Sequence, residues 1–218
     1  MKLISVNVGK PQTVEYNGDF VSTAIFKTAV AGKVKLSEMN LEGDKQADLR
    51  YHGGWSKAVY AYPHEHYDFW RTQLPETDLT FGNFGENFTT TGLDETEINI
   101  GDKIRFGECE LVVTEPRMPC SKLNVRFGRA DIVKRFQKSK RCGIYFMVTK
   151  TGEVAANDAI EITERNENKV SITEVSRLRD AKQVKSSDVE TLRRAVEINV
   201  LPDEWKKRFR GYLSKIEG

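Results

Sequence analysis

Up to about residue 165 the chain alternates apolar and polar positions in short runs. KLISVNVG (2–9), STAIFKTAV (22–30), KAVYAY (57–62), ETEINIGDKIRFG (95–107), CELVVTEP (109–116), CGIYFMVTKTGEV (142–154) and AIEITER (159–165) are rich in Val, Ile, Thr, Tyr and Phe, and Gly, Asn or Asp separates them. Many short strands at this spacing predict a barrel or a sandwich. Two helices interrupt them. One starts near Pro63 and runs through HEHYDFWRTQL (64–74) with Tyr67 and Trp70 facing inward; the other is RADIVKRFQKSK (129–140), with Ile132, Val133 and Phe136 as its apolar stripe.

After residue 165 the period lengthens to that of a helix. Ser171 with Glu174, and Ser187 with Glu190, each have the spacing of a capping box, which satisfies backbone N–H groups at a helix start. A third helix follows Pro202, with Trp205, Phe209, Tyr212, Leu213 and Ile216 on one face. The expected architecture is therefore mainly β with helices (α+β), a strand-built domain over 1–165 followed by a small three-helix bundle over 166–218.

With 218 residues, 39% hydrophobic and 30% charged, the chain is long enough for a substantial core. No apolar run reaches the roughly 18 residues of a membrane span, and MKLISVNVGK lacks the apolar stretch of a signal peptide, so a cytoplasmic location is expected. The formal charge is +2. The basic run KKRFR (206–210) reads better as the solvated face of an amphipathic helix than as a nucleic-acid surface. Cys109, Cys120 and Cys142 show no CxxC spacing, which speaks against a disulfide framework, a structural zinc site or an iron–sulfur cluster.

The cysteines differ in setting. Cys109 and Cys142 sit in apolar runs, where a small buried side chain is the ordinary outcome. Cys120, in TEPRMPCSKLN (114–124), is bracketed by Pro116 and Pro119 and by Arg117 and Lys122. Prolines hold such a loop still, and nearby cations favour the thiolate, the form that binds metals and attacks electrophiles. Upstream, Arg50, His52, Gly53, Gly54 and Lys57 combine backbone that can approach a ligand with charges that suit an anion; alone, a tight hairpin with solvated charges explains them as well. Gly85, Glu86 and Asn87 lie in a glycine- and amide-rich stretch that is either a surface loop or a set of donors for a polar ring. His64 and His66 stand at a helix start, where residues two apart diverge, so they are not expected to share a metal.

Five ordered segments, STAIFK, GDKQADLRYHGGWSKAVYAYP, FGENFTTTGLDE, IGDKIRFGECELVVTEPRMPCSKL and GIYFMVTKTGEV, resemble the MOSC family, named for the C-terminal domain of molybdenum cofactor sulfurase. The order is similar to its stand-alone bacterial YiiM type, in which that domain precedes three helices. The resemblance implies a β-barrel-like domain that holds a molybdenum cofactor (molybdenum–molybdopterin), with Cys120 as the protein ligand to the metal. It further implies that His52, Gly53, Gly54, Lys57, Gly85, Glu86 and Asn87 line the pocket. Arg50, Arg117 and Lys122 would be counter-charges, and Lys27, His52 and Cys120 a proton-handling trio. Asn157 replaces a glycine usual at that turn and can adopt the same left-handed conformation. The implied reaction is reductive N–O cleavage of N-hydroxylated bases and hydroxylamines, a detoxification, with electrons from a separate flavin or iron–sulfur protein. A non-catalytic carrier of the cofactor, or of sulfur on Cys120, is the second reading, and a nucleic-acid adaptor a distant third. The C-terminal helices could dock the donor, cover the barrel or mediate self-association.

Overall fold

The computed structural model describes residues 1–49, 53–181 and 184–217. Among these residues the strands are β1 (Lys2–Val8), β2 (Gln12–Tyr16), β3 (Asp19–Thr23), β4 (Thr28–Ala29), β5 (Val34–Leu36), β6 (Val59–Pro63), β7 (Phe88–Thr91), β8 (Lys103–Phe106), β9 (Cys109–Pro116), β10 (Ile144–Lys150), β11 (Gly152–Val154) and β12 (Ile160–Glu164). The helices are α1 (Glu65–Gln73), α2 (Ser121–Phe127), α3 (Ile132–Ser139), α4 (Ile172–Asp180), α5 (Val189–Glu197) and α6 (Asp203–Glu217).

Eight strands form one sheet in the order β12-β8-β9-β10-β6-β7-β1-β4. The β6–β7 pair is parallel and the others are antiparallel. In β8 the alternation is plain, with Ile104 and Phe106 buried and Lys103 and Arg105 in solvent. The sheet curls back on itself at β1. Leu3 donates to the carbonyl of Asp158 at 3.0 Å, and Asn157 and Ile160 donate to the carbonyls of Leu3 and Met1 at 2.7 and 3.0 Å. Asn157 makes this turn with φ 79, the left-handed conformation expected of it. The result is a closed, barrel-like cup, as the sequence predicts.

The cup's interior is packed by Leu3, Val6, Phe88, Ile104, Phe106, Leu111, Val113, Ile144 and Phe146. Buried apolar area of this kind contributes about 1.5–3 kcal/mol per large side chain. The same cluster runs on without a break into Ile172, Val175 and Leu178 of α4, Leu192 of α5, and Trp205 and Phe209 of α6. A second cluster is mostly aromatic: Tyr62, Tyr67, Trp70, Phe84 and Phe136 pack between α1, α3 and the 81–85 loop. Trp70 donates from Nε1 to the Tyr62 hydroxyl at 2.7 Å, which satisfies the buried indole.

Tyr67 and Trp70 face inward as predicted, and Ser171 and Glu174 form the capping box. Several expectations need correction. Ser187 does not cap a helix, because residues 186–188 form a 3-10 turn and Asp188 accepts from the Lys185 N–H at 2.9 Å instead. Ile216 is exposed rather than packed. STAIFKTAV is not one strand, since Thr23 ends β3 and only Thr28–Ala29 pair again. The loop expected after Cys120 is the helix α2. The β2–β3 hairpin, turned by Asn17 and Gly18 at φ 54 and 84, has the Asn-Gly signature of a two-residue turn.

Candidate functional site

Between the cup and the C-terminal helices lies a cavity of about 910 Å³. It is lined by Lys27, Tyr60, Gly85 and Asn87, by the 115–122 segment with Glu115, Arg117, Met118, Pro119, Cys120 and Lys122, and by Arg179, Glu204, Trp205 and Arg208 of the C-terminal helices. The β3 residues 20–23 and the 44–48 loop complete the mouth.

Cys120 is the N-cap residue of α2, in extended backbone, and is partly exposed to the cavity. The other two cysteines are buried in the core, and burial pushes Cys109 up to about 11 and Cys142 higher still, so both are inert thiols. Three residues before Cys120, the chain turns Arg117 inward. Its guanidinium lies 5.3 Å from the Tyr60 ring centroid and 5.0 Å from that of Phe136, and it hydrogen-bonds Tyr145. No carboxylate among the described residues forms an ion pair with it, and its Nη1 is buried with no hydrogen-bond partner. Burial works against the charge, but Tyr60, Tyr145 and Cys120 outweigh it and hold the pKa above the usual arginine value, so the group stays cationic. A buried cation with a donor to spare is a built anion receptor.

Lys27 is nearly buried and ion-paired to Asp44. Asp44 also accepts from the Gly9 N–H at 2.7 Å and from Asn87 Nδ2 at 2.9 Å. Burial lowers the Lys27 pKa, with Asp44 opposing, which makes this ammonium readier than an exposed one to release its proton. Asn87 has a structural task as well, because its Oδ1 accepts from the Tyr60 N–H at 3.2 Å and so ties the 87 loop to β6.

Of the residues singled out from the sequence, Lys27, Lys57, Gly85, Asn87, Arg117, Cys120 and Lys122 line this one cavity. Glu86 does not. Its buried carboxylate is consumed by its own loop, accepting from the Gly82 and Phe84 N–H groups at 2.8 and 3.1 Å, from Thr89 at 2.9 Å and from the Tyr67 hydroxyl. Gly53 and Gly54 lead into a 3-10 turn at 55–57 and are not lining residues. Arg50 and His52 lie outside the described residues. His66 pairs with Glu95 at 2.7 Å, whereas the His64 ring at the start of α1 makes no capping bond and lies against Tyr67 and Phe81, so the two histidines diverge. Among the described residues no three or more His, Cys, Asp or Glu side chains converge as a metal site. No helix among them is long and apolar enough to cross a membrane.

Sequence reasoning passed over Asp44, Tyr60, Glu115, Tyr145 and Trp205. Glu115 is 2% exposed, accepts from Ser56 Oγ and Trp205 Nε1, both at 2.9 Å, and has Lys57 Nζ at 4.0 Å. Burial pushes its carboxyl up, and Lys57, Trp205 and Ser56 pull the other way.

A strand-built cup that presents one thiol, a buried guanidinium and a buried lysine to a roomy cavity defines a small-molecule or cofactor site. The chain belongs to the MOSC domain family, whose model matches residues 48–161. It is 38% identical over 209 residues to the uncharacterized protein YflK of Bacillus subtilis, covering 95% of this chain and 92% of that one. It is 40% identical over 145 residues to protein YiiM of Escherichia coli, covering 66% and 65%. A protein of Gibberella moniliformis named as a reductase is 36% identical over 84% of this chain, which spans 33% of that longer protein. The crystal structure of YiiM from Geobacillus stearothermophilus superposes with a TM-score of 0.79 at 28% identity, covering 97% of this chain and 98% of that one.

Proposed function

We propose that this protein is a molybdenum-cofactor-dependent reductase that removes oxygen from N-hydroxylated bases and hydroxylamines. Support comes from the family, from the relative named as a reductase, and above all from Arg117, a buried cation that lines the same cavity as Cys120, forms no ion pair among the described residues and keeps one buried donor, Nη1, without a partner. The residues fit the group. A soft thiolate suits a redox-active metal, and the Arg117 guanidinium, with Lys57 and Lys122 lining the same cavity, suits the phosphate of the pterin.

When bound, the cofactor would supply two-electron redox chemistry at a metal. The balanced reaction takes R–NH–OH, two electrons and two protons to R–NH2 and water. The N–O bond breaks, and one N–H and one O–H bond form. Cys120 would hold the metal and Arg117 the anionic end. Lys27, whose pKa burial lowers against the pull of Asp44, would deliver a proton to the leaving oxygen, with His52 as the second candidate from the sequence. Electrons come from a separate flavin or iron–sulfur protein. The same residues would serve a non-catalytic carrier, so turnover separates the two. Protein made in a cofactor-competent host and given a chemical reductant should consume 6-hydroxylaminopurine and contain molybdenum and pterin; Cys120→Ala should lose most of the metal. Equal metal in parent and variant removes Cys120 from the site, and metal without turnover leaves the carrier.

A further inference from the structure

The cavity has two faces of different origin. The Lys27, Asn87, Arg117 and Cys120 face comes from the strand-built part and is the one the proposed cofactor takes. The C-terminal helices add Arg179 of α4 and Glu204, Trp205 and Arg208 of α6 to the same cavity. This second face is fixed by one carboxylate. Glu115 reaches from the end of β9, receives the Trp205 indole N–H on Oε2 and the Ser56 hydroxyl on Oε1, each at 2.9 Å, and so joins a strand, the 55–57 turn and a helix 90 residues away. Trp205 is itself buried, with the Arg179 guanidinium 5.9 Å from its ring.

We propose that the C-terminal helices form the substrate-side wall of the site, and that Glu115 and Trp205 are positioning residues whose hydrogen bond holds this wall in register for planar, ring-bearing substrates. The proposal rests on the reductase reading above. It assigns Glu115 an acceptor's role rather than an acid's. Lys57, Glu204 and Tyr145 are the titratable groups around it, and burial raises its carboxyl. An un-ionised carboxyl still offers its carbonyl oxygen to the indole, so the latch survives either protonation state. A glutamine does the same, accepting from Trp205 and donating to Ser56.

The test compares the parent with Trp205→Phe, Glu115→Ala and Glu115→Gln in two assays. One is steady-state reduction of 6-hydroxylaminopurine and of hydroxylamine by the loaded enzyme. The other is calorimetric binding of adenine, which needs no turnover. The Phe and Ala variants should raise KM for the purine and Kd for adenine about tenfold, with KM for hydroxylamine within about twofold, because a hydrogen bond to a buried carboxylate is lost. Molybdenum content should not move, and Glu115→Gln should match the parent. Equal adenine binding by all four proteins overturns the proposal. So does a common fall in kcat on both substrates that Gln fails to rescue, which would place Glu115 on the reacting atoms. Failure of the reductase reading looks different: the parent turns over neither substrate, while the adenine measurement still decides whether the wall recognises a ring.

Discussion

Replacing Arg117 by methionine should make the cofactor-free protein more stable and the cofactor-loaded protein scarce. Arg117 is 5% exposed, so its charge has left water almost completely, at a cost of several kcal/mol. Contact with the Tyr60 and Phe136 rings at 5.3 and 5.0 Å offsets about 1–2 kcal/mol each. No carboxylate among the described residues pairs with it, the Tyr60 and Tyr145 hydroxyls that raise its pKa when ionised are kept neutral by burial at ordinary pH, and Nη1 is left without an acceptor. Methionine fills a similar volume with no charge to desolvate, and exchanges of this kind gain about 1–4 kcal/mol. The lower part of that range, about 1–3 kcal/mol, applies here because the ring contacts are partly lost. Urea unfolding of the cofactor-free proteins measures it as a higher midpoint at unchanged slope. Molybdenum and pterin content of protein from a competent host should fall at least about tenfold, as for any lost charge-assisted pair. A variant that is less stable by more than about 1 kcal/mol and still carries its cofactor would mean that the guanidinium serves the fold and not a ligand.

Other residues separate in the same way. Glu86→Ala removes the acceptor for two buried N–H groups and two hydroxyls, and should cost about 3–5 kcal/mol in urea unfolding; a loss under about 1 kcal/mol would deny its role in the loop. Gly82 has φ +90, and a Cβ there would sit 2.6 Å from the Lys27 carbonyl oxygen, so Gly82→Ala should cost about 2–4 kcal/mol, and a neutral result would show that the 82 loop yields freely. For Glu115 the folded pKa lies above the unfolded one, so the folded state binds the extra proton, and the stability this gives is present in acid and lost as pH rises through the folded value. Glu115→Gln should therefore gain on the parent as pH rises from the ordinary carboxylate range through the folded value, and a difference that is flat with pH would refute the shift.

Elements with a strong local signal were legible in the sequence. The alternation in β8, the Tyr67 and Trp70 face of α1 and the Ser171–Glu174 cap are each decided within a few residues. Cys120 was legible because its prolines and cations are neighbours in the chain. Long-range partners were not. Glu115 and Trp205 are 90 residues apart, and nothing in either segment announces the other. Glu86 misled for the opposite reason: a Gly-Glu-Asn stretch suits a ligand, yet its carboxylate is turned back onto N–H groups two and four residues away. The helix α2 went unseen because Pro116 and Pro119 suggested an irregular loop, whereas they only set up its start.

The closure of the cup at β1 also constrains how the protein can be made. Strand β1 finds its neighbours at residues 28–29, 88–91 and 157–160, so its hydrogen-bonding edges stay incomplete until residue 160 has been synthesised. Pairings this distant in sequence slow folding and leave the nascent strand sticky in the meantime. Its acquisition of structure thus waits on partners made long after it, and removing residues 2–6 would leave a seam open along the barrel.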